Sequence, residues 1–289
     1  MLATALVSGL GLGSIYGLIA LGFTLTFAVS GTVNFAQGSS VMLGAVLCHA
    51  LAIGMHWPMF AAVPAALIAC ALWGLVVERI AVRPFVARGT NSWLMATVAL
   101  GIVLDNVVMV LFGKEPRALP SALADDPWVI GKVGIFPLQI LIPIVGLGLA
   151  ALVHLGLHRT SLGLKLRAAV DNRDAACLMS IDVTTLIAVT YAAAALLAGV
   201  GGILIAPLYN VAYDMGTLFG IKAFAVAILG GLTNPWGVVL AGLAYGLVEA
   251  CATTWLGSSS TQIVTFTAVI AALALVPSGL FGGRIRVRV

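Results

Sequence analysis

The chain has 289 residues, 62% of them hydrophobic and only 8% charged, with a mean hydropathy of +1.15 and a formal net charge of +4. No water-soluble domain needs that much apolar surface, so a lipid bilayer is the solvent for most of it, and the small positive excess suits membrane-flanking loops better than nucleic-acid binding. The apolar runs are continuous for 17 or more residues rather than alternating, which favours spanning helices over a β-barrel.

The first run, Leu2 to Val29, is 28 residues long, more than the ~20 that a span requires. It lacks a basic n-region and is too long for a cleaved signal, so it reads as a retained membrane segment. It meets Ser30-Gly31-Thr32 and the polar cluster Asn34-Phe35-Ala36-Gln37-Gly38, after which Val41 to Ile53 forms a short run of 13 residues. One long and one short piece around a polar cluster predict a broken helix that enters and leaves near the membrane surface. Further spans are predicted near Phe60–Val77, Trp93–Phe112, Pro137–Leu157, Thr184–Ala206, Leu218–Leu232, Trp236–Leu256 and Gln262–Pro277, for eight to ten membrane segments in one domain, 1–289. The fold class is all-α, a polytopic helical bundle.

Between the Pro137 and Thr184 spans lies the longest polar interruption, Ser161–Val183. Leu162, Leu166 and Ala169 fall at helical spacing, as do Ala175, Leu178 and Met179, while Asp171-Asn172 supplies turn chemistry and Asn172 or Asp174 can cap a second helix. Two short amphipathic helices outside the bilayer result. They either dock something or pack only on their own membrane domain.

Lysine and arginine set the orientation. Arg79, Arg83 and Arg88, then Arg159, Lys165, Arg167 and Arg173, then Arg284, Arg286 and Arg288 fall on one side if each later segment crosses once, ten of the 14 basic residues. Lys114, Arg117 and Lys132 fall opposite, balanced by Glu115, Asp125 and Asp126. The Ser161–Val183 stretch is therefore expected in the cytoplasm. Small residues recur every fourth position, at Gly9, Gly13, Gly17, at Ala194, Ala198, Gly202, Ala206, at Ala223, Ala227, Gly231, and at Gly242, Gly246, Ala250. Such faces let helix backbones approach closely in lipid.

Few residues carry chemistry. There is no GxxxxGK[ST], triad, paired-carboxylate or HExxH pattern. Four scattered cysteines (Cys48, Cys70, Cys177, Cys251) form no CxxC pair and read as neither a metal nor a disulfide framework. His154 and His158 share a helical face without an accompanying carboxylate or thiolate, so no metal site is assigned. Asp105, beside Asn106, and Glu249 sit in apolar spans, where a central charge costs roughly 2.5–3.5 kcal/mol on insertion scales. Each must face protein or a water-filled cavity, as polar lining, proton relay or helix tie. Asn34 and Gln37 either face substrate at the break or satisfy its free backbone groups.

From Gly9-Leu10-Gly11-Leu12-Gly13-Ser14-Ile15-Tyr16-Gly17 through Asn34-Phe35-Ala36-Gln37-Gly38, and on through Arg167-Ala168-Ala169, Ile181-Asp182-Val183, Gly201-Gly202, Lys222-Ala223-Phe224, Gly230-Gly231-Leu232 and Glu249, the chain closely resembles the permease subunits of branched-chain amino-acid ABC importers. The motifs span nearly the whole chain in order. The resemblance implies a non-catalytic subunit of the bacterial inner membrane, with a cytoplasmic C-terminus, for leucine, isoleucine and valine. It implies a second permease, two ATPases that hold ATP and magnesium, and a periplasmic binding protein as partners, with no cofactor in this chain. It makes the loop at about 159–183 the ATPase-coupling element, through Leu166, Arg167, Ala168, Ala169, Asn172, Arg173, Ala175, Ala176, Leu178 and Met179, and makes Asn34, Phe35, Gln37 and Gly38 candidates for the translocation path or the broken helix. Gln37 replaces the family's usual histidine and Ser180 its usual glycine. The general importer pattern of Glu-Ala-Ala, Gly and Leu-Pro is not met either, since Arg167 precedes Ala168-Ala169 and Arg173 replaces the glycine. Related importers handle other amino acids, amides or urea. The rival class is a self-sufficient proton-coupled transporter working through Asp105 or Glu249.

Overall fold

The computed structural model describes residues 2–121, 128–130, 133–276 and 279–281. Eight of its helices are long and apolar enough to cross a membrane, and the shorter apolar helix Met215–Gly230 makes a ninth candidate among the described residues. The helices are α1 (Leu2–Ser30), α2 (Gln37–His49), α3 (Met59–Val77), α4 (Arg83–Ala87), α5 (Trp93–Phe112), α6 (Pro137–Arg159), α7 (Ser161–Asp171), α8 (Arg173–Leu178), α9 (Val183–Ile205), α10 (Met215–Gly230), α11 (Pro235–Leu256) and α12 (Ser258–Leu275). One hairpin of two short antiparallel strands, β1 (Trp128–Ile130) and β2 (Val133–Ile135), precedes α6.

Several boundaries differ from the hydropathy reading for physical reasons. The short second run is only part of its helix: α2 begins at Gln37, four residues before the apolar stretch, and continues through a π-turn at Ala50–Gly54 to reach 18 residues. The helix after Met59 does not stop at Val77 but passes through a second π-turn, Glu78–Val82, into α4. Arg79 and Arg83 are thus helical rather than in a loop, and Arg83 forks onto the buried Glu78 through two hydrogen bonds of 3.0 Å. The bidentate geometry lets a carboxylate stay buried beside apolar neighbours.

Helices α1, α2, α9 and α11 fill the interior, while α3, α5, α6 and α12 surround them with exposed apolar faces. Contact between α1 and α11 depends on glycine. A Cβ at Gly13 would strike the Gly242 carbonyl, and one at Gly246 would strike the Gly13 backbone, so the two helices touch main chain to main chain. Gly9 lies beside Gly246 and Ala250, and Gly17 beside Val239, so the helices run antiparallel. The expected small-residue faces are packing faces, which gain dispersion contacts where lipid offers no hydrophobic drive.

The two ends of the bundle are distinct. A cavity of about 260 Å³ at one end is bordered by the last turns of α1 and α6, the start of α9, Thr233 and Pro235, and α7. Gly279 packs on Ile228, and the Leu280 amide donates to the Leu229 carbonyl, which brings the described C-terminal residues to the same end. The opposite end gathers the starts of α1 and α6 with Leu208 and Tyr209, and a bridge joins Arg117 to Val211 nearby. Arg284–Arg288, Asp125, Asp126 and Lys132 lie outside the described residues.

Candidate functional site

Between α1 and α2 the chain runs non-helically, with Thr32, Val33, Asn34 and Ala36 all buried. Such backbone is tolerated at membrane depth only when protein satisfies it. The Ala36 amide donates to Asn34 Oδ1 at 3.1 Å, and Gln37 Nε2 donates across the bundle to the Ala194 carbonyl of α9 at 2.8 Å. Gly22 on α1 makes this possible, because a Cβ there would collide with the Gln37 amide. Thr32 is tied to the Tyr191 hydroxyl at 2.6 Å. With exposures of 1% and 0%, Asn34 and Gln37 hold the break rather than face a path.

Their neighbours border an open space. Phe35 and Gly38 border a cleft of about 230 Å³ between α1, α2, α5 and α10. Phe23, Phe35, Phe224, Val98, Ile102 and Ile221 make its walls apolar, and Ser39, Asp105 and Thr217 are its polar groups. Thr217 Oγ1 donates to Asp105 Oδ2 at 3.5 Å, a long contact, whereas Asp105 Oδ1 is buried with no hydrogen-bond partner among the described residues. Asn106 does not join it: exposed, it donates back to the Ile102 carbonyl at 2.8 Å.

Glu249 has a different surrounding. It forms an ion pair with Lys222 of α10, and Lys222 also donates to the Tyr16 hydroxyl of α1 at 3.3 Å. Helix α10 thus presents Thr217, Gly220, Ile221 and Phe224 to the cleft while Lys222 locks it to α11 and α1. Charge placement in the sequence passed over Lys222, although a lone lysine and a lone glutamate in separate apolar spans are the signal for such a pair. Glu249 is thus tied to Lys222 through Oε1, while its Oε2 is buried with no hydrogen-bond partner among the described residues.

The loop at one end of the bundle is two helices, as spacing predicts. Thr160 caps α7 by accepting from the Gly163 amide at 3.0 Å, and Asn172 caps α8 by accepting from the Ala175 amide at 3.0 Å. Asp182 caps α9, and hydrogen bonds from the Thr185 hydroxyl, with those from the Thr185 and Thr184 amides, hold its carboxyl below the usual range. The cap is therefore intact at neutral pH and is lost only as pH falls through that lowered value. Burial divides the residues expected to dock a partner into two groups. Leu166, Ala169 and Ala176 pack on their own domain, against Val77, Val82, Val183, Ile187 and Tyr191. Arg167, Asn172, Arg173, Ala175, Leu178 and Met179 are exposed, Leu178 to 87% and Met179 to 77%, with Ala168 half-buried. His154 and His158 stack at 4.1 Å, and His154 Nδ1 accepts from the Trp236 indole at 3.1 Å.

Residues 5–276 match the family model for the branched-chain amino acid transport system permease component. The chain belongs to this family. It is 30% identical to the high-affinity branched-chain amino acid transport system permease protein LivH of Escherichia coli K12, over 95% of this chain and 94% of that one. It is 33% identical to the corresponding BraD of Pseudomonas aeruginosa, over 96% and 94%. A probable LivH of Methanocaldococcus jannaschii is 27% identical over 92% of this chain and 88% of that one.

In this permease two positions that the sequence singled out have a clear structural setting. Gln37 spans from Gly22 to Ala194 with its side-chain amide, so the break is tied without a histidine. Ser180 has a φ of +60°, in the left-handed region that glycine adopts without steric cost. The α8–α9 turn thus has a conformation that favours glycine, although a serine occupies it.

Proposed function

We propose that this permease forms one half of the path of an ATP-driven importer for leucine, isoleucine and valine, with a second permease closing the other half. The observation that carries this reading is the cleft. A carboxylate on the flank of a membrane bundle costs roughly 2.5–3.5 kcal/mol against lipid, so the face bearing Asp105 needs a protein wall and water rather than acyl chains. Its apolar lining suits aliphatic side chains, in keeping with the names of the relatives.

The α7–α8 end faces the cytoplasm in this reading, because Arg79, Arg83, Arg88, Arg159, Lys165, Arg167 and Arg173 gather in the segments of that end. There two ATPases engage the exposed face of α8, hydrolyse ATP with their own magnesium, and shift the pair of permeases between inward- and outward-open states. The chain takes no cofactor itself, sits in a bacterial inner membrane, and receives substrate from a periplasmic binding protein. The test is uptake of labelled leucine by cells without their own branched-chain transport, supplied with the complete set of subunits. Uptake should require the ATPases and be competed by isoleucine and valine. Uptake without ATPases, or competition by urea or short amides but not by valine, overturns the reading.

A further inference from the structure

Asp105 is a half-buried acid for which the described residues supply no cation. Glu78 is neutralised by Arg83 and Glu249 by Lys222, each within its own or an adjoining helix. Asp105 has only neutral hydroxyls beside it, those of Ser39 and the distant Thr217, and its Oδ1, although screened from solvent, makes no hydrogen bond within normal geometry among the described residues. The nearby ionisable group that acts on it is Asp214, just before α10, a second acid that makes this edge of the cleft more negative. Opposite the carboxylate the cleft is aromatic: the Phe224 ring meets those of Phe35 and Phe23 with centroids 5.1 and 5.5 Å away. A volume of about 230 Å³ equals roughly seven or eight waters at about 30 Å³ each, room for one small organic molecule and not for a peptide.

We infer that Asp105 binds the α-ammonium group of the amino acid in transit, with the Phe23, Phe35 and Phe224 wall receiving its aliphatic side chain. The inference rests on the cleft being the path and goes further, because it selects among substrates of similar size. A primary ammonium supplies the missing positive charge and up to three donors for the unpartnered oxygen. Urea and neutral amides bring donors without charge, so they leave the carboxylate uncompensated in a low-dielectric setting. Asp105 is on this view a specificity-determining residue, while Thr217 orients its second oxygen.

The test uses the assembled transporter in proteoliposomes, with Cys177→Ser and Cys251→Ser removing background thiols and Ile221→Cys placing a reporter in the cleft. Modification of that cysteine by a thiol reagent is followed against rising L-leucine or 4-methyl-2-oxopentanoate, which keeps the branched chain but replaces the amino group by a carbonyl. Leucine should protect the cysteine and the oxo acid should not. Asp105→Asn should raise the half-protecting concentration of leucine about tenfold, the loss expected for one charge-assisted contact. Asp105→Glu should keep the preference for leucine, and co-purification of the ATPases with every variant establishes that each is folded. Equal protection by the two compounds, or an unchanged half-protecting concentration in Asp105→Asn, overturns the inference while leaving the path in place. Protection by neither compound in the unsubstituted cleft takes the cleft off the path, and both conclusions fall.

Discussion

Lys222 and Glu249 sit in different helices, each side chain almost enclosed, at 12% and 10% exposure. Removing one partner of a buried pair strands a charge and costs about 3–5 kcal/mol, whereas replacing both with apolar groups is often neutral. Lys222→Met alone should therefore lower the temperature at which the purified permease aggregates in detergent, and Lys222→Met combined with Glu249→Leu should recover most of the loss. Equal losses in single and double variants would mean that Tyr16, not the ion pair, holds α10 in place. Glu249 was legible in the sequence as a charge in need of a partner. The identity of the partner was not, because charge counting treats a lysine as a flank marker and cannot see that two helices place these side chains together. Asn34 and Gln37 show the same limit. Their polarity marked the break correctly, yet only their hydrogen bonds separate holding the backbone from facing the cleft.

For the elements, spacing was a good guide to where a helix lies and a poor one to what covers it. Leu166 and Ala169 fall on the apolar face that periodicity predicts, but the cover is the permease itself rather than a partner. The surface this leaves for the proposed ATPase contact is small: the outer face of α8 with Leu178 and Met179, flanked by Arg173 and Arg167. Each of the two apolar side chains is worth roughly 1.5–3 kcal/mol if fully buried by a partner, and the arginines fix orientation by forking onto carboxylates. Ala175 is exposed at the first turn of α8, where a larger charged side chain fits the monomer but not a close contact. Ala175→Glu should leave the permease in the membrane at normal abundance while abolishing co-purification of the ATPases. Should the variant assemble and transport normally while a comparable change in the 88–91 turn abolishes both, the coupling element is that turn.

On the scale of the whole molecule, the fold was legible because its spans are long and apolar, while the assignment of sides rests on where basic residues cluster. The 16-residue α10 and the polar first turn of α2 were harder, since hydropathy scores Gln37, Ser39 and Ser40 as loop although all three are buried. Placing α7 and α8 at one end and the Arg117–Val211 bridge at the other gives a direct test of orientation. In intact cells an impermeant maleimide should label Lys114→Cys and spare the exposed native Cys177, which should react only after permeabilisation. The reverse pattern inverts the topology.

The tie between Gln37 and Ala194 has a further consequence, for how the protein is made. Its two ends are 157 residues apart, and the Thr32–Tyr191 bond closes a loop of similar length. At a synthesis rate of about 5–20 residues per second, α9 leaves the ribosome roughly 8–30 s after the break between α1 and α2. Through that interval the polar turn has no permanent partner, and bare lipid offers none. The first two helices must therefore wait in a sheltered place, at the insertion machinery or the headgroup layer, until α9 arrives to seal them in. A segment made early is thus finished late.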